Sequence, residues 1–197
     1  MFSLANSSLL TEKQQQPITL NAPSVDLQSY CELKNIKENI ESFISEGNNL
    51  LIESETTGNG KTSWAIKLLM SYLDSMWVRA PLEPIALFVN VPTFIFEMKS
   101  AFGNSTDNDY VNTIKENVSK CDLIVWDDIG LKTLTAYEQD LLYTYINRRL
   151  DLGKSNIFTT NLTEEDFKQY MGDRLYSRIY NNSKIITFYA NDHRGIE

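Results

Sequence analysis

A buried-strand pattern at residues 49–54 gives way to Gly58-Asn59-Gly60-Lys61-Thr62 and then to a helical pattern, and this succession constrains the chain more than any other feature. Leu50, Leu51 and Ile52 form a short apolar run. Trp64, Leu68, Leu69, Tyr72, Leu73 and Met76 recur at spacings of three and four, which marks one buried face of a helix. The turn between them has a specific chemistry. Glycines let the backbone point its N–H groups inward around an anion, and the start of the following helix adds positive potential. Lys61 is placed to reach the terminal phosphates of a nucleotide, and the Thr62 hydroxyl suits a magnesium ion. The full pattern has a glycine five residues before Gly60, where this chain has Glu55. A carboxylate turned into the loop would repel phosphate, so Glu55 is expected to face outward. The competing reading is a Gly-rich turn with an exposed lysine.

The rest of the chain alternates in the same manner. Strands are expected at residues 85–91, 123–126, 156–160 and 184–189, and helices at 29–47, 93–102, 110–118, around Tyr137 to Ile146, from 163 onward and at 174–180. The unbroken run Leu123-Ile124-Val125-Trp126 implies burial on both faces, as at the centre of a parallel sheet covered by helices. Strands separated by helices predict a three-layer α/β fold with a mainly parallel sheet. Residues 1–28, rich in Ser, Gln, Asn and Thr, are expected to form a flexible polar arm, and 29–197 the folded domain.

The run at 123–126 ends in Asp127-Asp128, about sixty residues after the glycine loop. Adjacent strand residues point to opposite faces, so the two carboxylates are expected to divide their work. Asp127 is placed to hold the magnesium shell and Asp128 to orient or deprotonate an attacking water. Two acids that merely begin a loop are the alternative. Asn161 ends the strand at 156–160 and can hold the lytic water or sense the last phosphate, with helix capping as its competing role. Five of six arginines, Arg148, Arg149, Arg174, Arg178 and Arg194, follow residue 147. Arginine suits bidentate phosphate contact. Arg174 and Arg178 share one helical face, and an ion pair with Asp173 or Glu165 is the competing account of either.

Charge and composition narrow the field further. Over 197 residues, 18 Lys and Arg face 26 Asp and Glu, a formal charge of −8. Indiscriminate tight binding to a polyanion needs more cations than this, so any DNA contact is expected to be local and weak. Cys31 and Cys121 form no metal-binding pair, and His193 is the sole histidine, which excludes chemistry built on several histidines. The longest apolar stretch, residues 85–96, is interrupted by Asn90 and Pro92 and is too short to span a bilayer. The first residues lack the order of a secretory leader, so a cytoplasmic location is expected.

Four segments together carry a family resemblance: Gly58-Asn59-Gly60-Lys61-Thr62, Asp127-Asp128-Ile129-Gly130, Thr160-Asn161-Leu162, and Gly172-Asp173-Arg174-Leu175-Tyr176-Ser177-Arg178-Ile179. The set resembles the AAA+ ATPases of the DnaC/DnaI helicase-loader group, including phage versions and the related IstB transposition helper. The resemblance implies a five-stranded P-loop NTPase sheet in the order 5-1-4-3-2 with a minimal or absent lid, binding ATP and Mg2+. It implies nucleotide contacts from Gly58, Asn59, Gly60, Lys61, Thr62 and Ser63, and metal contacts from Thr62 and Asp127. Asp128 and Asn161 become catalytic, Asn161 as sensor 1. Arg178 becomes an arginine finger acting on a neighbouring subunit in a homo-oligomer, with Arg174 as its companion and Arg194 as a sensor 2 element. The implied partners are a DnaB-type replicative helicase and single-stranded DNA. Loaders of this group are thought to touch DNA through the helix at 93–102, which carries Lys99. Phe94, Phe96 and Phe102 on that helix are expected to be core. The alternatives are an IstB-like transposition helper and an interaction protein that binds nucleotide without hydrolysing it.

Overall fold

Five strands, β1 (Leu50–Glu53), β2 (Ala86–Asn90), β3 (Leu123–Asp127), β4 (Ser155–Thr160) and β5 (Lys184–Thr187), form one sheet in the computed structural model, which describes residues 8–17, 20, 22–76, 84–103 and 109–190, without the side chains of 102 and 103. Every pairing is parallel, and the strand order is β2-β3-β4-β1-β5. This is the expected order read from the opposite edge. The strand residues are largely buried on both faces because helices cover both.

The period of two decides which core each side chain joins. Leu50, Ile52, Phe88, Val125 and Ile157 enter one cluster, with α1 (Leu27–Glu38), α2 (Ile40–Ser45) and α3 (Lys61–Ser75). Leu51, Val89, Trp126 and Phe158 enter the other. That second face is covered by α4 (Val91–Gly103), α5 (Asp109–Asn117), α6 (Ala136–Asp151), α7 (Glu164–Met171) and α8 (Asp173–Tyr180). The single helix expected at 29–47 is two. Asn39 leaves helical geometry at φ −115° and ψ 31°, and its carboxamide donates to the Asn35 carbonyl at 2.9 Å, competing with the backbone for that acceptor.

Part of the expected flexible arm is packed. The Ser8 carbonyl accepts the Phe88 N–H at 2.8 Å on the outer edge of β2, and Leu10 is buried beside α1. A free sheet edge is a template for unwanted pairing, and this segment covers it. Asp26, also within the arm, is buried and accepts the backbone N–H groups of Tyr189 and Ala190 at 2.8 and 3.1 Å.

Arg149 is fully buried and does not reach a phosphate, contrary to its place among the candidate phosphate arginines. Its guanidinium donates to Asn156 Oδ1 and to the carbonyls of Val118, Cys121, Asp122 and Ser155. Burial pulls its pKa down to about 10, still leaving it charged at neutral pH. Asn156 also accepts Trp126 Nε1 and donates to Asn49 Oδ1. The network pins α6 to the starts of β3 and β4, at the end of the sheet remote from the glycine loop.

Candidate functional site

The loop that follows β1 folds around its own polar groups. Gly60 has φ +97°, a left-handed conformation that an L side chain rarely adopts, and the next residue begins α3. Lys61 is buried, and its Nζ donates to the Thr56 carbonyl at 2.7 Å and to Asn59 Oδ1 at 3.0 Å. Asn59, itself buried, donates to Ser54 Oγ and to Thr56 Oγ1. Glu55 is exposed, as expected. The loop thus gathers a buried ammonium and the first N–H groups of a fifteen-residue helix, the arrangement that binds an anion.

The aspartates arrive from β3. Asp127 is buried, and its Oδ1 accepts Thr62 Oγ1 at 2.9 Å and Thr159 Oγ1 at 2.7 Å. The first of these bonds joins the glycine loop to the end of β3. Burial raises the Asp127 pKa and the negative charge of Asp128 adds to the rise; hydrogen bonds from Thr159, Thr62 and Asn90 oppose it. Asp128 takes φ +57°, a left-handed turn that the short carboxylate tolerates. Its N–H donates to Thr159 Oγ1 at 3.0 Å, and its Oδ2 accepts Asn90 Nδ2 at 3.4 Å. Asp128 thus lies beyond the strand in a left-handed turn, so its direction is set by that turn and not by strand alternation, and Asn90 reaches both carboxylates.

A hydroxyl and an under-neutralised carboxylate that already touch are hard oxygen donors of the kind magnesium takes, with most of its shell left to water and phosphate. Among the described residues no cluster of three or more His, Cys, Asp or Glu is placed to hold a metal ion.

Asn161 follows β4, which lies between β3 and β1, so it stands between the aspartates and the glycine loop. It is half-buried, and its side chain makes no hydrogen bond among the described residues. Thr163, not Asn161, caps α7 by accepting the Asp166 N–H. On α8, Arg174 is exposed, 3.5 Å from Asp140 and stacked over Tyr143 at 4.5 Å. Arg178 is half-buried, with no ion pair among the described residues. Neither arginine pairs with Asp173, which lies 3.6 Å from Lys168, nor with Glu165. Arg194 lies outside the described residues, as does the side chain of Phe102. Phe94 is core, but Phe96 is not: it is 66% exposed, because it falls on the helix face opposite Phe94 and Met98. Lys99 is engaged at 2.8 Å by Glu138.

Sequence reasoning missed Asn90 and Thr159; Asn59 was expected as a nucleotide contact, but its bonds to Ser54, Thr56 and Lys61 were not foreseen. The signal for Thr159 was available, since Thr159-Thr160 are hydroxyls at the end of a strand otherwise read as buried. Asn90 was visible only as an interruption of an apolar run.

A parallel α/β sheet with this loop after its first strand and a buried aspartate at the end of its third defines a P-loop nucleotide-binding protein. A family model described as IstB-like ATP binding protein matches residues 11–193, and the chain belongs to that family. In sequence it is similar to the replicative helicase loader DnaC of Buchnera aphidicola subsp. Schizaphis graminum, 29% identical over 109 residues, which is 55% of this chain and 44% of the relative. The DnaC of Escherichia coli strain K12 is 27% identical over 110 residues, again 55% and 44%. The matched region thus spans less than half the length of these relatives. In fold it is similar to a crystal structure of the DnaC helicase loader, with TM-score 0.72 and 18% identity over 91% of this chain and 100% of that one. A crystal structure of DnaI gives TM-score 0.69 and 16% identity over 92% and 95%.

Proposed function

We propose that this protein is an ATP-hydrolysing switch that helps place a replicative DNA helicase on single-stranded DNA. The observation that carries the chemistry is the contact between Thr62 and Asp127, which joins the two halves of a triphosphate site in one hydrogen bond. The loader role is supported by the sequence similarity to DnaC.

In this reading the N–H groups of Gly58 to Ser63 and the Lys61 ammonium bind the phosphates. Thr62 and Asp127 would hold magnesium, which supplies charge neutralisation at the phosphate oxygens. Asp128 takes the proton of the attacking water, Asn161 orients that water, and Asn90 steadies the Asp128 carboxylate. Arg178, with Arg174 beside it, acts on nucleotide held by the adjacent copy in a homo-oligomer. Arg178 has no ion pair among the described residues, which favours such a role, because a guanidinium already paired would have to break that pair first. Arg194 is proposed as a further phosphate contact. Exposed Phe96 offers a stacking face for single-stranded DNA. A cytoplasmic location follows from the replicative role, and no helix among the described residues is long and apolar enough to cross a membrane.

Arg178→Ala tests the reading. ATP affinity should stay near the original, while turnover in the presence of helicase and DNA should fall by a factor on the order of 10³. Equal loss of affinity would assign Arg178 to the fold instead. The IstB-like description of the family favours a second reading, a transposition helper on duplex DNA. The charge of −8 disfavours it, and filter binding of duplex against single strands separates the two.

A further inference from the structure

Glu53 is the last residue of β1 and stands immediately before the phosphate-binding loop, yet nothing in the nucleotide chemistry above uses it. Its Oε2 accepts the Tyr180 hydroxyl at 2.8 Å and its Oε1 accepts Thr187 Oγ1 at 2.9 Å. Among the described residues no cation lies within salt-bridge distance of this half-buried carboxylate, and its side-chain partners there are these two hydroxyls. Tyr180 is equally committed. It is the last residue of α8, its ring is stacked on Tyr176 at 5.0 Å and set edge-on to Phe167 at 5.1 Å, and it is buried. Burial and the Glu53 carboxylate together push its pKa up, so the hydroxyl stays a donor at all physiological pH values.

The helix that ends at Tyr180 is the one that carries Arg174 and Arg178. Its apolar residues Leu175 and Ile179 press it onto the core, but apolar contact alone permits sliding and rotation. The hydrogen bond at its end is directional. That bond is made to the same strand end from which the nucleotide loop springs, with Ser54, the next residue, bonded to Asn59 inside the loop.

We infer that Glu53 and Tyr180 form a positioning pair: they fix the pitch of α8 on β1 and so set where Arg178 is presented to the adjacent subunit. This inference rests on the reading of Arg178 as acting in trans. It differs from a role in the subunit's own site, since the pair would govern what a subunit gives to its neighbour and not what it does with its own nucleotide.

A mixed-subunit assay distinguishes the two. Subunits bearing Lys61→Ala supply only an arginine, and subunits bearing Arg178→Ala supply only a nucleotide site. Turnover recovered on mixing them with helicase and single-stranded DNA therefore arises across the interface. Tyr180→Phe, which removes one oxygen and keeps the ring, is then placed in one partner at a time. In the arginine donor it should lower recovered turnover about fivefold or more, the scale of a lost hydrogen bond to a carboxylate. In the nucleotide-holding partner it should leave turnover and ATP affinity within about twofold, and that placement also reports that the variant folds. Glu53→Leu in the donor should reproduce the loss. Equal loss in both placements, or loss in neither, would overturn the positioning role. If the reference mixture recovers no turnover at all, the trans reading of Arg178 fails, and this inference with it.

Discussion

Asp127 shows a single side chain placed against its own preference. It is buried beside a second carboxylate, and two threonine hydroxyls compensate only in part. A folded-state pKa raised above the unfolded one contributes stability when the group is protonated, and that contribution is lost as pH rises through the raised value. An ionised Asp127 therefore costs the nucleotide-free fold stability, and a bound cation would relieve it. Asp127→Asn keeps an oxygen for Thr62 and Thr159 and removes the charge. It should raise the melting midpoint of the nucleotide-free protein by about 2 to 4 °C, the response of a domain this size to ~1 kcal/mol. It should also abolish the further rise that magnesium and ATP produce by binding the folded state. Differential scanning calorimetry with and without the nucleotide reads both effects. A fall in the nucleotide-free midpoint would show that the carboxylate is structurally satisfied.

Glu138 links three elements. It completes a capping box with Thr135 at the start of α6, and the same carboxylate meets Lys99 of α4 at 2.8 Å and Lys132 of the loop after β3 at 3.0 Å. Burial works to raise its pKa, but Lys99, the Thr135 N–H and Lys132 outweigh it and bring the value down to about 2. A lowered folded pKa gives stability that is full above the unfolded value of 4.5 and is lost as pH falls toward 2. The lysines are half exposed, so solvent screening limits the effect. Glu138→Gln preserves an acceptor for the cap and should cost about 1 kcal/mol at pH 7. It should also flatten the decline of stability between pH 4.5 and 2. Urea unfolding at several pH values provides the comparison, and an unchanged acid limb would mean that the two lysines contribute nothing.

At the scale of the whole molecule, the segment at 8–17 and the net negative charge matter most. Deleting residues 1–16 uncovers the Phe88 N–H and removes buried Leu10. Stability should fall by about 2 kcal/mol, and association through the bare β2 edge should grow with concentration; sedimentation velocity measures the second. With a net charge of −8, single-stranded DNA binding should depend on few ionic contacts. The slope of log affinity against log salt should be shallower than about −2, and Phe96→Ala should weaken binding roughly tenfold. A steep slope would reveal a cationic groove and would favour the duplex-binding alternative.

Much of this architecture was legible before any coordinates. Period-two and period-three-to-four patterns are local, and they gave every strand to within a few residues because a residue's neighbours along the chain fix which face it presents. The glycine loop and the aspartate pair were readable for the same reason: their chemistry depends on a few residues in fixed succession. Three-dimensional contact decided the rest. Thr159 became a bridge between the acids because β4 lies beside β3, Phe96 was turned outward because α4 meets the sheet through Phe94 and Met98, and Ser8 and Leu10 became buried because β2 has an open edge. Arg149 was buried among carbonyls that sequence leaves some thirty residues away. The sequence by itself determined which strands form and where the glycine loop and the aspartate pair fall along the chain. Tertiary structure alone decided which polar side chains find partners, because a hydrogen bond between distant residues depends on the packing of every element between them.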